Sequence, residues 1–378
     1  RYIAGNSGVA DLPRVVLGGM AVWNRAAYRD LRRLLLSERP DLVHVHNTLP
    51  LISPAAYYAA RAARVPVVQT LHNYRLLCPS GILFRDGQVC EACMHRAVPL
   101  PSVRYACYRG SRSASAAVAT MLVVHRALGT WDRAVDLFLA LTEFARGKFI
   151  DDGVPAEKIL VKPNFTPDPG MQGTGGDYAL FVGRLSPEKG VGTLLRAWRQ
   201  VGSRLRLRII GDGPEAALVG AAAQAGSGVE FLGRRDPAEV VKAMAGARLL
   251  VFPSEWYETF GLTIIEAFAV GIPVVASDLG AMSSLVQHRR TGLHFRPGDS
   301  DDLVRQIDWA LAHPDEMRAM GRAARQEYEA HYTPERNYEL LTQAYRSAIR
   351  LHDGDGGGGI HPAGNSRANA AHQLPRRA

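Results

Sequence analysis

A chain of 378 residues, 47% of them hydrophobic, is long enough for two domains that each bury a core of their own. No stretch reaches the roughly 20 apolar residues of a membrane-spanning helix. The longest apolar patch, Ala114 to Val124, is broken by Ser115 and Thr120 and reads as buried helix. The net charge of +9 sits wholly in the first half, with 21 Lys+Arg against 12 Asp+Glu over residues 1–165 and 24 against 24 over residues 166–378. That excess suits an anionic partner, or is simply an Arg-rich surface.

In chain order, residues 1–39 carry a helical pattern at Ala21 to Leu36 and no strand. From Asp41 onward, short β-branched runs alternate with helical patterns, the rhythm of βαβ units around parallel sheets and so of the α/β class. In a first block, 41–47 and 65–72 read as strands on either side of an Ala-rich helix from Ser53 to Arg64, and 136–140 and 159–161 continue it. The Pro- and Gly-rich stretch from Pro163 to Gly176 is the natural linker. A second block follows with strands at 178–182, 205–210, 229–232, 249–252 and 272–276, and Pro334 to Arg350 closes it as an amphipathic helix. The expected domains are therefore 1–165 and 166–351. The Gly-rich tail, 352–378, has too little apolar content to fold and is expected to be disordered.

Phe181-Val-Gly-Arg-Leu-Ser-Pro-Glu-Lys-Gly190 leaves a strand and enters a helix, which places Arg184 and Lys189 at the carboxyl edge of the sheet, where ligands of open α/β sheets bind. Two fixed cations there can hold a diphosphate and stabilise the charge it gains as a leaving group, so no metal is required. Ser254-Glu-Trp-Tyr-Glu-Thr-Phe-Gly-Leu-Thr-Ile-Ile-Glu266 puts Glu258 just before a helix and Glu266 within it. Helical side chains tilt toward the N-terminus, so Glu266 leans back to the mouth that Glu258 faces. The N–H groups of Phe260, Gly261 and Leu262 are free to point at a phosphate. One carboxylate can accept from ribose hydroxyls and the other from a donor sugar. In isolation, each motif is more often a set of surface charges.

Taken in order, Gly183-Arg-Leu-x-x-Glu-Lys-Gly190, Gly211-Asp-Gly-Pro-Glu215, Pro253-Ser-x-x-x-Glu-x-Phe-Gly-Leu-x-x-x-Glu-Ala267 and Gly271-Ile-Pro-Val-Val-Ala-Ser277 resemble glycosyltransferase family 4. The resemblance implies a GT-B fold, two Rossmann-like doubly wound parallel-sheet domains facing across a cleft. It implies retaining transfer of a sugar from a UDP- or GDP-sugar, with no cofactor required for catalysis. By position, Gly183, Arg184 and Lys189 would serve the diphosphate, Glu266 the ribose, and Glu258 the donor sugar and the positive charge at its anomeric carbon. His72, in Thr70-Leu-His-Asn-Tyr-Arg-Leu-Leu-Cys78, resembles the active-site His of the family. The expected acceptor is a glycan or a lipid-linked glycan of surface polysaccharide assembly, and nucleic acid is not an expected partner. The family also begins with a strand and a Gly-rich loop, so an N-terminal truncation is expected.

His44 and His46 share one face of their strand and read as structural. Four cysteines cluster as Cys78-x11-Cys90-x2-Cys93-x13-Cys107 in a loop, 73–113, without evident internal support. Grouped in this way they are less a secreted disulfide framework than a candidate structural zinc site, with free thiols or a redox pair as the alternatives. Together with the absence of a visible leader, they suggest a cytoplasmic protein, with peripheral contact to an anionic inner membrane face suited to the basic half.

Two rivals remain. Gly211-Asp-Gly-Pro-Glu-Ala216, with Glu230 further on, approaches the dinucleotide fingerprint of an NAD-dependent dehydrogenase. A non-catalytic nucleotide-sugar-binding chain is the other. The Asp-x-Asp pairs at Asp299 and Asp353 precede a helix and fall in the tail, and neither reads as a metal site.

Overall fold

The computed structural model describes residues 14–226 and 228–354. From residue 355 on, the expected disordered tail lies outside the described residues.

The N-terminal helical pattern is two helices, Arg14–Val22 and Arg25–Glu38. Asn24 separates them, because its side chain accepts the Ala27 N–H (3.1 Å) as an N-cap while its own N–H donates to Ser53 Oγ (2.9 Å). A first parallel sheet has the order β1 (Val43–Val45), β2 (Val67–Leu71), β5 (Leu137–Ala140), β6 (Ile159–Val161). No strand precedes β1 among the described residues. Strands β2 and β5 are buried throughout, as continuous apolar runs covered on both faces must be.

The cysteine-bearing loop is better supported than its composition suggests. It contains a small hairpin, β3 (Phe84–Arg85) and β4 (Gln88–Val89), and sinks Leu77 and Leu83 into the core beneath β2 and the helix Arg112–Ala127. That helix is the apolar patch of the sequence, and its inward face includes Val118, Met121 and Leu122.

The second sheet is parallel with order β12 (Gly292–Phe295), β11 (Val274–Ser277), β10 (Leu249–Phe252), β7 (Tyr178–Val182), β8 (Arg206–Ile210), β9 (Val229–Gly233). The strand β12 escapes periodicity because it is short and opens on glycine. The chain winds outward from β7 to β9, then returns to the other side of β7 as β10. Between β7 and β10 lies the topological switch point, the crevice where doubly wound folds bind ligands.

The terminal helix, Pro334–His352, corrects the expected domain assignment. Although it follows the second sheet in sequence, its buried Ala344 and Ala348 pack on Val68, Leu137 and Leu139 of the first. Two polar contacts fasten it there, Tyr345 Oη to His44 Nδ1 (2.8 Å) and His352 Nδ1 to Asp136 Oδ1 (3.1 Å). Small residues along one face let the helix lie close to a sheet, but their order in the chain says nothing about which sheet receives it.

Candidate active site

Both donor motifs leave strands that flank the switch point, one after β7 and one after β10. Gly190 explains how the two loops meet. Its φ is +70°, and a Cβ built on it would lie 1.9 Å from the Pro253 carbonyl oxygen, so only glycine lets them touch. Across that contact the Glu255 N–H donates to the Glu188 carbonyl (2.9 Å) and Thr193 Oγ1 donates to Glu255 Oε1 (2.5 Å). Gly190→Ala is therefore expected to destabilise the fold by about 3 kcal/mol through clash and left-handed strain together. An unchanged denaturation midpoint would refute the close approach.

The contact brings together two side chains 69 positions apart. Lys189 Nζ donates to Glu258 Oε1 at 2.6 Å, and Ser254 Oγ donates to the same oxygen at 2.8 Å. Glu258 is 4% exposed, whereas the Lys189 side chain is 23% exposed and can still meet a ligand. Beside the pair opens a cavity walled by Gly183, Lys189, Ser254, Phe260, Leu262 and Thr263. Behind it the helix Leu262–Ala269 begins with Gly261 as N-cap and no side-chain cap, which leaves its first-turn N–H groups open. A lysine, uncapped backbone donors and apolar walls suit a diphosphate entering from solvent.

Arg184 and Glu266 are not on that wall. Arg184, next in sequence to Gly183 of the wall, is exposed and has no ion-pair partner among the described residues. Glu266 is half-buried, and burial raises its pKa above the ordinary carboxylate value. A carboxyl group accepts from two hydroxyls most strongly when it is ionised. If Glu266 holds the ribose, the affinity it carries is complete above this raised pKa and weakens as pH falls through it, sooner than for an ordinary carboxylate. UDP titrated calorimetrically from neutral into mildly acidic buffer is expected to lose affinity in this way. Glu266→Gln, which controls for titration of the phosphate itself, should flatten the extra loss, and an unaltered profile would remove Glu266 from the site.

From the first domain, His72 follows β2 directly, at the carboxyl edge of its sheet. Three hydrogen bonds dock the Glu258 loop there. Thr259 Oγ1 donates to the His72 carbonyl (3.0 Å), Tyr74 Oη to the Glu258 carbonyl (3.3 Å), and Thr142 Oγ1 to the Thr259 carbonyl (3.4 Å). Tyr74, Thr142 and Thr259 had no sequence signal as site residues, because their partners lie far away in the chain.

His44 is bonded to Thr70 Oγ1 (2.7 Å) and Tyr345, and His46 Nδ1 shares a hydrogen bond with His72 Nε2 at 2.7 Å. Burial first, then His46 and Lys162, lower the His72 pKa and hold the ring neutral.

Two motifs take their meaning from packing. Gly211 and Gly213 are needed because Cβ atoms there would lie 1.9 Å from the Gly183 carbonyl oxygen and 2.4 Å from that of Leu185. They seat the Arg184 loop instead of approaching a pyrophosphate. Glu230 meanwhile pairs with Arg208 on the edge strand (2.7 Å), so the dehydrogenase reading loses both of its supports. Asp299 is a helix cap, accepting the Asp302 N–H at 2.8 Å.

The four cysteines are free thiols, Cys78 and Cys93 buried, Cys90 and Cys107 half-buried. Burial, and then the neighbouring Cys78, raise the Cys93 thiol to about 11. Among the described residues no group of three or more His, Cys, Asp or Glu is placed to hold a metal ion.

With this geometry in place, likeness to known proteins decides the family. Residues 7–164 match the glycosyl transferase 4-like domain, and residues 171–327 match the glycosyl transferases group 1. The chain belongs to the family 4 glycosyltransferases. The two family models meet at the linker. Within the family it is 26% identical over 333 residues to sulfoquinovosyl transferase SQD2 of Arabidopsis thaliana, covering 82% of this chain and 58% of that protein. To 2-deoxystreptamine glucosyltransferase of Streptomyces kanamyceticus it is 27% identical over 330 residues, covering 84% and 81%. To D-inositol 3-phosphate glycosyltransferase of Nocardia farcinica it is 34% identical over 183 residues, but spans only 40% of that protein.

Among solved structures, Anabaena Alr3699/HepE in complex with UDP matches with a TM-score of 0.64 at 20% identity, covering 85% of this chain and 82% of that one. Sucrose-phosphate synthase from Thermosynechococcus elongatus matches with a TM-score of 0.66 at 20% identity, covering 89% and 79%. These likenesses place the fold in the GT-B class.

Proposed function

We propose that this chain transfers a sugar, with retention of anomeric configuration, from a UDP- or GDP-sugar to a glycan or lipid-linked glycan. One observation carries the reading. The Lys189–Glu258 pair sits beside an open, uncapped helix start at the switch point, on a loop held against His72 of the other domain. A nucleoside diphosphate in the cavity has Lys189 and the backbone N–H groups for its charge, with Arg184 next in sequence to the wall. The sugar it carries then lies between Glu258 and the first domain. As the glycosidic bond breaks, positive charge grows at the anomeric carbon and negative charge at the departing phosphate. A fixed carboxylate and a fixed ammonium stabilise these because both are already in place.

The chemistry as proposed needs no cofactor. A structural zinc on Cys78, Cys90, Cys93 and Cys107 would require the thiols to turn toward a common point, and purified protein with much less than one equivalent of zinc rules it out. The basic first half supports an acceptor presented on an anionic membrane, as in surface polysaccharide assembly, with the enzyme peripheral on the cytoplasmic face. No helix among the described residues is long and apolar enough to cross a membrane.

The test is a calorimetric screen of UDP- and GDP-sugars followed by a hydrolysis or transfer assay. Binding with turnover is the expected result. Binding without turnover would favour a non-catalytic role, and binding of neither nucleotide overturns the proposal.

A further inference from the structure

At the carboxyl end of the first sheet, three imidazoles and one amine gather without an acid. His46 and His72 share the 2.7 Å hydrogen bond already described and stack with ring centroids 5.0 Å apart, and the His44 ring lies 4.3 Å from that of His46. Lys162, the first residue past β6, is 7% exposed, and its charge acts on all three rings. Among the described residues no carboxylate forms an ion pair with Lys162, His46 or His72.

A buried ammonium without a counter-ion is costly, and desolvation lowers the Lys162 amine to about 8. Nothing inside the fold repays that cost. Among the described residues the one hydrogen bond of the Lys162 ammonium goes to the Pro163 carbonyl (3.1 Å), a neutral acceptor shared with Asn337 Nδ2 (2.7 Å). An aliphatic side chain would fill the same volume without desolvating a charge. The charge itself therefore has a use outside the protein's own packing. Its position shows where, because the His72 carbonyl receives the Thr259 hydroxyl, which sets the cluster against the Glu258 loop. Lys189 and the diphosphate cavity lie on the other domain's side of that loop.

We propose that Lys162, with His46 and His72 as neutral hydrogen-bonding neighbours, forms a subsite for an acidic group, a carboxylate or a phosphate, on a sugar bound in the cleft. The ammonium supplies the charge, and because one imidazole N–H is spent on the His46–His72 hydrogen bond, the ring that accepts that bond can turn its own N–H toward the oxyanion. This deepens the glycosyl-transfer reading and rests on it. The acidic sugar is either the one carried by the nucleotide or the one that accepts it.

Calorimetry separates these sources. In the donor arm the protein is titrated with UDP-glucose and UDP-glucuronic acid, which share one diphosphate and differ only at the sugar, and with the GDP-sugar equivalents if UDP does not bind. In the acceptor arm it is titrated with glucose and glucuronic acid, with UDP and without. The acidic sugar is expected to bind about tenfold more tightly in one arm, the preference lost in Lys162→Met and kept in Lys162→Arg. Lys162→Met removes a buried charge and is expected to melt no lower than the parent; Lys162→Gln replaces it if it does not fold.

Two results overturn the subsite: acidic and neutral sugars binding the parent alike in both arms, or the preference surviving in the neutral variants. Failure of both nucleotides to bind overturns the donor reading instead, and the acceptor arm without nucleotide still decides the subsite.

Discussion

Glu258→Gln is expected to lower turnover about 100-fold or more while leaving nucleotide affinity unchanged or slightly raised. The fall in rate comes from losing a fixed negative charge beside a carbon that becomes positive only in the transition state. Its selectivity for rate is a consequence of the ion pair. In the unliganded site Lys189 is held by Glu258 at 2.6 Å, so an incoming diphosphate competes with that carboxylate for the ammonium. Glutamine keeps the shape and the hydrogen bond from Ser254 but, having no charge, holds the lysine less tightly. Single-turnover rates with the preferred nucleotide sugar, alongside calorimetry with the bare nucleotide, check both halves. Near-normal turnover would remove Glu258 from the chemistry, and a large loss of nucleotide affinity would make it a binding residue instead.

Lys189→Ala should act in the opposite sense, weakening UDP or GDP binding by the roughly 1.5–3 kcal/mol of a charge-assisted hydrogen bond, about tenfold to a hundredfold. It carries a second cost. Glu258 is nearly inaccessible, so losing its partner strands a buried carboxylate with only the Ser254 hydroxyl, and the fold is expected to lose about 1–3 kcal/mol. The double variant Lys189→Ala, Glu258→Gln separates the two effects, since it should recover stability but not nucleotide affinity. Affinity unchanged in the single variant would mean that the phosphate site lies elsewhere. Denaturation midpoints that simply add would mean that the pair is not coupled.

The donor motifs were legible because they are local. A strand, a glycine-bearing turn and a helix start occupy ten consecutive residues from Phe181 to Gly190, and strand-end loops of this kind open on one edge of a parallel sheet whatever surrounds them. The four residues read as the donor site fare unequally in three dimensions. Lys189 and Glu258 come together as an ion pair with Lys189 on the cavity wall, while Arg184 and Glu266 are not on that wall. A helical tilt argument gives a direction and cannot give the depth at which a side chain stops. The contact of His46 with His72 was out of reach for a related reason. Alternation along β1 shows that it shares a face with His44, but only the neighbouring strand β2 puts His72 within hydrogen-bonding distance of it.

By itself the sequence determined the α/β class, most of the strands, the linker between the two blocks and the donor motifs, because apolar period, turn chemistry and motif spacing act over a few residues. The tertiary structure alone decided that the β7 and β10 loops close on one another through Gly190 and Pro253, and that the terminal helix crosses to the first sheet. It also decided that Lys162 stands buried beside His46 and His72 with no carboxylate paired to it among the described residues. Each of these joins residues far apart in the chain. Burial, counter-charge and close approach are properties of neighbours in space, and only folding brings those neighbours together.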